Sequence, residues 1–297
     1  MSWIALVVAG LKGSIMCMVF AVGLGAQPRQ ALFLFVHPGR LLRMLASMHV
    51  IMPLLVIAAI GAFPLAMPVK VALLALAVSP MPPILTLKAP RAGGSTEYIV
   101  GLLVSNCLLA VFIVPLTLGL GEMLLGRPSE IAPLQIVARM VVSVLIPLLV
   151  GSTVHALAPR LAERAYRPVL MASVALLLVT ALPVLIRAWP TIVQMTGNGM
   201  LLAFAAFVAT GLLVGHVLGG PEPENRVVLG LATASRHPGI AIALAQSAFP
   251  AEKLVAPAVL SYLLVSALVS AVYLRWTKHA AAPSPEGVTR RAAGSTR

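Results

Sequence analysis

The sequence contains no aspartate and few charged residues of any kind. Its 297 residues include 8 acidic ones, all glutamate, and only 10% of the chain is charged. The absence of aspartate excludes an aspartyl intramembrane protease, and no HExxH, GxSxG or P-loop motif is present. The two cysteines, Cys17 and Cys107, lie in separate apolar segments without CxxC spacing, which predicts core residues and no metal site. We therefore expect neither enzyme activity nor a cofactor.

Long apolar runs make up most of the chain. Hydrophobic residues account for 60% of it, and the mean hydropathy is +1.02. These values are typical of an all-α, polytopic membrane protein, and the runs are continuous where a β-barrel would alternate. We predict nine membrane spans, near residues 4–25, 44–63, 69–87, 96–120, 131–157, 168–186, 196–218, 226–249 and 254–276.

The distribution of basic residues predicts the orientation of the spans. The net charge is +13, but Lys and Arg are spread over short loops and the C-terminal tail, which does not favour nucleic-acid binding. With the N-terminus outside, most of them fall on the cytoplasmic side, as the positive-inside rule requires. We expect a multi-pass inner-membrane protein with one transmembrane domain, residues 1–276, and a disordered cytoplasmic tail, residues 277–297.

The eighth predicted span is interrupted near its middle. Pro238 removes a backbone donor and Gly239 weakens the helix further. Arg236 lies just before them, about ten residues from either end of the span. A charge at that depth costs roughly 2.5–3.5 kcal/mol on insertion scales, so it usually faces a cavity or a partner. This pattern predicts a broken helix at the substrate site of a transporter.

The third predicted span is also interrupted, by Pro80, Pro82 and Pro83. On the predicted topology this span and the eighth run in opposite directions and are five spans apart. That relation fits an inverted repeat, in which two broken helices cross near the membrane centre and form the transport site. The alternative is that both interruptions are simple proline kinks.

Four segments resemble the bile acid:sodium symporter family in order and spacing. They are MHVIMPLLVIAAI, SPMPPILTLKAPRAGG, VSNCLLAVFIVPL and LATASRHPGIAIALAQSAF. The resemblance implies a core domain, residues 44–120 and 196–276, that contains two broken crossing helices. It also implies a panel domain, residues 1–25 and 131–186, against which the core moves, with the substrate bound between the two.

The sequence departs from the family where side-chain oxygens hold sodium. Met48 stands in place of a glutamine, Ala232 in place of a glutamate, and Arg236 in place of the neighbouring glutamine. Leu85 and Thr86 replace a serine–asparagine pair. The resemblance therefore does not imply sodium coupling for this chain. Both Na⁺ and H⁺ stay open as the coupling ion. We hypothesise that Arg236 supplies a fixed positive charge where the relatives recruit a mobile cation.

The predicted substrate-binding residues belong to the second break and to span four: Thr233, Ser235, Arg236, His237, Ser105 and Asn106. Several interpretations stay open for these residues. Arg236 binds an anion, pairs with Glu97, or only satisfies backbone carbonyls. His237 relays protons or is a polar residue beside the break. Ser105 and Asn106 line the site or join two helices by hydrogen bonds.

These observations predict a secondary-active transporter of a small organic anion that works by alternating access in the lipid bilayer. Two alternatives remain. One is an exporter of the auxin-efflux or arsenite-carrier type, for which Cys107 would be the candidate pore cysteine. The other is a membrane scaffold without transport activity. The substrate, the direction of transport and the oligomeric state are not indicated by the sequence.

Overall fold

The computed structural model describes residues 3–88, 95–125, 132–196 and 199–281, and these residues form helices and connecting turns without any strand. The helices are α1 (Trp3–Gly25), α2 (Pro28–Ala31), α3 (Pro38–Met44), α4 (Met52–Ala62), α5 (Met67–Val78), α6 (Leu85–Lys88), α7 (Thr96–Leu125), α8 (Pro133–Met140), α9 (Ile146–Leu157), α10 (Pro159–Thr196), α11 (Met200–Leu218), α12 (Pro223–Ala234), α13 (Pro238–Ala248) and α14 (Val255–Ala281). Two π-helical segments, Leu45–Ile51 and Val141–Leu145, join α3 to α4 and α8 to α9.

Seven helices of the described chain are long and apolar enough to cross a membrane, when α3 and α4, α8 and α9, and α12 and α13 each count as one. Two more apolar helices, Ala9–Gly25 and Met67–Val78, are shorter. The prediction of an all-helical, multi-pass membrane protein is thereby confirmed. The predicted spans overlap these segments, and the number of nine membrane crossings stays a prediction.

Some predicted boundaries differ from the structure. Helix α10 runs from Pro159 to Thr196, well beyond the predicted span 168–186, with Pro168, Pro183 and Pro190 inside it. A proline removes one backbone bond, but neighbouring groups in a membrane protein can satisfy the freed carbonyl, so the helix continues. Helix α14 extends to Ala281, so the beginning of the predicted tail is helical. The rest of that tail lies outside the described residues, and so do residues 89–94, which follow the interruption at Pro80, Pro82 and Pro83.

Glycines allow two pairs of helices to approach closely. Gly23 of α1 faces Gly151 of α9, and a Cβ on Gly23 would lie 2.4 Å from the Leu148 carbonyl oxygen. Gly211 and Gly215 of α11, and Gly219 directly after it, follow one another at four-residue spacing and face the backbone of α12. Small residues at this spacing are typical of close helix packing in membranes.

The packing of the helices determines where the two breaks lie. Helix α1 packs against α9 and α10, which also contact each other. Helix α5 packs against α13 and α14, while α11 packs against α12 and α14. This packing brings the two proline-containing breaks, one after α5 and the other after α12, next to each other.

Arg40 and Glu222 form an ion pair between the loop before α12 and the beginning of α3. Their side-chain atoms lie 3.3 Å apart, and both side chains are partly exposed. Hydrogen bonds from the Glu222 backbone N–H and from the Asn225 amide lower the pKa of the Glu222 carboxyl, and Arg40 adds to this effect. An exposed pair of this kind contributes little to stability.

Candidate functional site

The two helix breaks are joined to each other through their backbones. After α5 and after α12 the chain becomes extended, at Ser79 and at Ser235. The N–H of His237 donates a hydrogen bond to the carbonyl of Pro80 at 2.9 Å. We call this region, residues 79–83 and 235–239, the junction. The interruptions predicted from Pro80, Pro82, Pro83, Pro238 and Gly239 thus lie against one another.

The Arg236 guanidinium is buried in the junction, with 2% of the residue exposed. Its Nε donates to the Thr233 carbonyl, its Nη1 to the Ser79 carbonyl and its Nη2 to the Met48 carbonyl, each at 3.1 Å. These three oxygens belong to three separate segments of the chain. Through these hydrogen bonds, Arg236 links both breaks to the π-helical segment that precedes α4.

Two further side chains satisfy the open backbone of the junction. The Tyr262 hydroxyl accepts a bond from the Arg236 N–H at 2.7 Å and donates to the Ala234 carbonyl at 2.8 Å. In the first break, Met81 is the one residue between prolines that has an N–H, and it donates to Asn106 Oδ1 at 3.3 Å. The Asn106 amide also lies 3.3 Å from His49 Nε2. Asn106 thus joins α7 to the first break.

Asn106→Leu is expected to lower the free energy of unfolding by about 2–4 kcal/mol, because the Met81 N–H and the His49 ring would each lose a buried partner. Thr117→Val is the matched control, since Thr117 is buried on the same helix but donates only to Ile113 of that helix. Its cost should be below about 1 kcal/mol. Thermal unfolding of the two purified variants measures the difference, and equal losses would contradict the role assigned to Asn106.

Both ring nitrogens of His237 have partners in the junction. Nδ1 accepts from the Ile240 N–H at 3.4 Å and so caps the beginning of α13. Nε2 lies 3.4 Å from the Met18 sulfur on α1. This arrangement assigns the ring proton to Nε2 and holds His237 between the second break and α1.

The structure does not bring all of the predicted site residues together. Glu97 is exposed in the first turn of α7, and the ion pair found in the described part of the chain joins Arg40 and Glu222 instead of Glu97 and Arg236. Ser105 is fully buried, and its hydroxyl has no hydrogen-bond partner. The Thr233 hydroxyl is likewise buried and without a partner, although its carbonyl binds Arg236.

A cavity of about 590 Å³ lies beside the junction, between α1, the segment from α8 to Val144, and α13. It contains two basic side chains, Lys12 and Arg139, and none of its lining residues in the described part of the chain is acidic. Arg139 Nη1 donates to the Ser247 hydroxyl on α13. Apolar residues such as Ile15, together with Gln246 and Ser143, complete the wall. We call this the basic cavity.

A second cavity, of about 430 Å³, lies on another side of the junction, between α10, α12 and α14. Ser235, Arg236 and His237 contribute to its wall, which is otherwise mainly apolar. Leu11 and Gly239 line both cavities, so the contact between α1 and the beginning of α13 separates them. Of the predicted residues at the second break, Ser235, Arg236 and His237 line the second cavity and not the basic cavity, and Thr233 lines neither.

The sequence interpretation did not include Lys12 and Arg139 in the site. Both fall within predicted apolar spans, 4–25 and 131–157, and a charge within such a span is itself a sign of function. What the sequence could not indicate is that two residues on different helices face the same cavity.

Fold and site together define the class: a helical multi-pass membrane protein in which two interrupted helices meet around buried polar groups. Residues 14–195 match the sodium bile acid symporter family, and the chain belongs to that family. The match contains the first break and ends before the second. The resemblance seen in the sequence is confirmed, and the family consists of transporters and not enzymes. A comparison with curated proteins returned no individual relative.

Proposed function

We propose that the protein is a secondary-active carrier of a small organic anion and that the anion binds in the basic cavity. The observation that carries this proposal is the pairing of Lys12 and Arg139 in one cavity, whose described lining residues include no acidic one. Charged side chains in membrane segments are costly and usually serve a substrate pathway. Two cations in the described lining give the cavity a positive charge that an anion can neutralise.

The position of α13 supports the same assignment. Gly239 and Ile240, at its beginning, line the basic cavity. The N-terminus of a helix carries a partial positive charge, and in carriers with discontinuous helices it commonly points toward anionic substrate groups. An anion in this cavity therefore meets two side-chain cations and one helix dipole.

The size and lining of the cavity indicate the chemical class of the substrate. About 590 Å³ falls within the range usual for small-molecule sites, roughly 300–1,000 Å³. Ile15, Val144 and Leu244 provide apolar surface, while the basic groups come from Lys12 and Arg139. We expect a molecule with an anionic head and an apolar body.

We further propose nine spans arranged as an inverted repeat, with α5 and α12 as equivalent half-helices. Both are 12 residues long, both have proline in the first turn, and both are followed by a serine in extended conformation, Ser79 and Ser235. These shared features support a common origin of the two broken helices. The N-terminus would then lie outside and the C-terminus in the cytoplasm, as the basic loops predict.

We also propose alternating access, in which two groups of helices move against each other. We assign α1 and α8 to α10 to the panel and the remaining helices to the core. The basic cavity lies between the two groups on the proposed outer side. On the proposed inner side, the hydroxyls of Thr86 and Tyr166 lie 2.7 Å apart across the same interface. This contact would hold the inner side closed while the outer cavity is accessible, and its release would open the other side.

No observation favours the arsenite-exporter alternative. Cys107, the candidate for a pore cysteine, is 3% exposed and does not line either of the two cavities. The uptake experiment described next also measures the direction in which an organic anion is transported.

The experiment is uptake by proteoliposomes that contain the purified protein. We expect saturable flux of amphipathic organic anions and none of their neutral amide analogues, since only the anions neutralise Lys12 and Arg139. Liposomes without protein provide the background. If a broad set of organic anions showed neither flux nor exchange in either orientation, the carrier proposal would be wrong and the scaffold alternative would stand.

A further inference from the structure

The Arg236 guanidinium is held by backbone carbonyl oxygens, a type of ligand that also coordinates small cations. Three backbone carbonyls, from Met48, Ser79 and Thr233, converge on it at 3.1 Å. The described residues place no carboxylate among its hydrogen-bond partners, so its charge is compensated by carbonyl dipoles. Convergent carbonyls of unwound membrane helices are a usual means of coordinating Na⁺.

Two of the three carbonyls are available because a helix ends there. Ser79 follows the last residue of α5, and Thr233 lies in the last turn of α12. The last carbonyls of a helix have no partner within it, and a helix C-terminus carries a partial negative charge. Two such ends meet in the junction and together attract a positive charge.

The Met48 carbonyl is available for a different reason. In the π-helical segment Leu45–Ile51 the hydrogen bonds span five residues, and the Met52 N–H donates to the Ser47 carbonyl. The next bond in this register would join Pro53 to Met48, but proline has no N–H. Pro53 thus releases the Met48 carbonyl, which accepts from Arg236 instead.

A fourth oxygen belongs to one of the same three residues and has no hydrogen bond. The Thr233 hydroxyl is buried and has no hydrogen-bond partner, although the carbonyl of the same residue binds the guanidinium. Alkali cations are coordinated by several oxygens, and this set would provide them once the guanidinium is removed.

We propose that Arg236 is an internal substitute for an exchangeable monovalent cation: it fills an oxygen-lined cation site permanently, so the folded protein neither needs nor binds Na⁺ there. The inference concerns the junction, not the basic cavity, and the experiment below measures stability instead of flux. Its outcome is therefore independent of whether the protein transports an anion.

The test compares thermal unfolding of purified protein in NaCl, KCl and N-methylglucamine chloride at one ionic strength. For the unmodified protein we expect the same melting temperature in all three salts. For Arg236→Ala and Arg236→Ser we expect melting temperatures lowered by roughly 5–15 °C in N-methylglucamine chloride. Sodium should recover a large part of that loss, because it enters the vacated site, whereas N-methylglucamine is too large to do so.

Two variants serve as controls. Arg40→Ala breaks the exposed ion pair with Glu222, so its small effect should be equal in the three salts. Arg236→Lys keeps the charge on a side chain with fewer directed donors. It should be less stable than the unmodified protein but insensitive to sodium.

Three results would overturn the proposal. The first is a sodium-dependent melting temperature of the unmodified protein. The second is equal stability of Arg236→Ala in sodium and in N-methylglucamine. The third is failure of both Arg236→Ala and Arg236→Ser to fold in any of the salts while Arg236→Lys folds, since no free cation would then replace the guanidinium.

Discussion

Arg139→Gln and Lys12→Gln each raise the KM for an anionic substrate by roughly 10- to 100-fold, if the basic cavity is the substrate site. A hydrogen bond to a charged group is worth about 1.5–3 kcal/mol, and each glutamine removes one such interaction with the anion. The measurement is the initial rate of uptake against substrate concentration in proteoliposomes. Replacing both residues should abolish measurable uptake at any concentration that the vesicles tolerate.

Arg187→Gln is the matched control, because Arg187 is exposed near the end of α10 and does not line the basic cavity. Its KM should equal that of the unmodified protein. Arg139 also donates to Ser247, so Arg139→Gln removes both a charge and a bond that positions the side chain. Ser247→Ala separates the two contributions, because it removes that bond and keeps the charge. Unchanged KM in both Lys12→Gln and Arg139→Gln would place the anion elsewhere.

Gly215→Val is expected to prevent folding. A Cβ on Gly215 would lie 2.4 Å from the Leu229 carbonyl oxygen and 2.6 Å from Gly230 Cα, both of which belong to the backbone of α12. Backbone atoms cannot turn aside as a flexible side chain can, so α11 and α12 would have to separate. Since α12 supplies the Thr233 carbonyl and leads to Arg236, this separation would also open the junction. We expect a loss of at least about 3 kcal/mol.

Size-exclusion profiles of detergent-solubilised protein measure this effect as loss of the monodisperse peak. Gly61→Ala provides the comparison, because a Cβ at Gly61, in the last turn of α4, would meet no atom within 4 Å. That change should be neutral or slightly stabilising. If Gly215→Ala, the milder variant, were as stable as Gly61→Ala, the close packing of α11 on α12 would not hold.

The helix breaks could be predicted because their cause is local. Proline lacks an N–H wherever it stands, so Pro80, Pro82, Pro83 and Pro238 interrupt the hydrogen-bond ladder whatever surrounds them. Long apolar runs predict membrane helices for a similar reason, since each run must satisfy its backbone internally. Helix ends were less predictable, as α10 shows, because a proline in a long helix can be accommodated by neighbouring groups.

The partners of Arg236 could not be predicted from the sequence. Its burial in an apolar segment was evident, and the sequence left open an anion, Glu97 or backbone carbonyls as its partner. The structure places it on three carbonyls, one of which is free only because of the π-helical segment before Pro53. The register of a helical segment depends on its packing, and single-residue patterns do not reveal it.

The sequence by itself determined that this chain crosses the membrane several times, that two of its helices are broken, and that an arginine lies at one of the breaks. These properties follow from hydrophobic length, proline chemistry and the cost of a charge in an apolar segment, all of which act within a few residues. Only the tertiary structure decided that the breaks meet, that Arg236 binds the carbonyls of three segments, and that Lys12 and Arg139 share a cavity. Those contacts join residues that are far apart in the chain, and only the packing of α1, α8 and α13 brings them together.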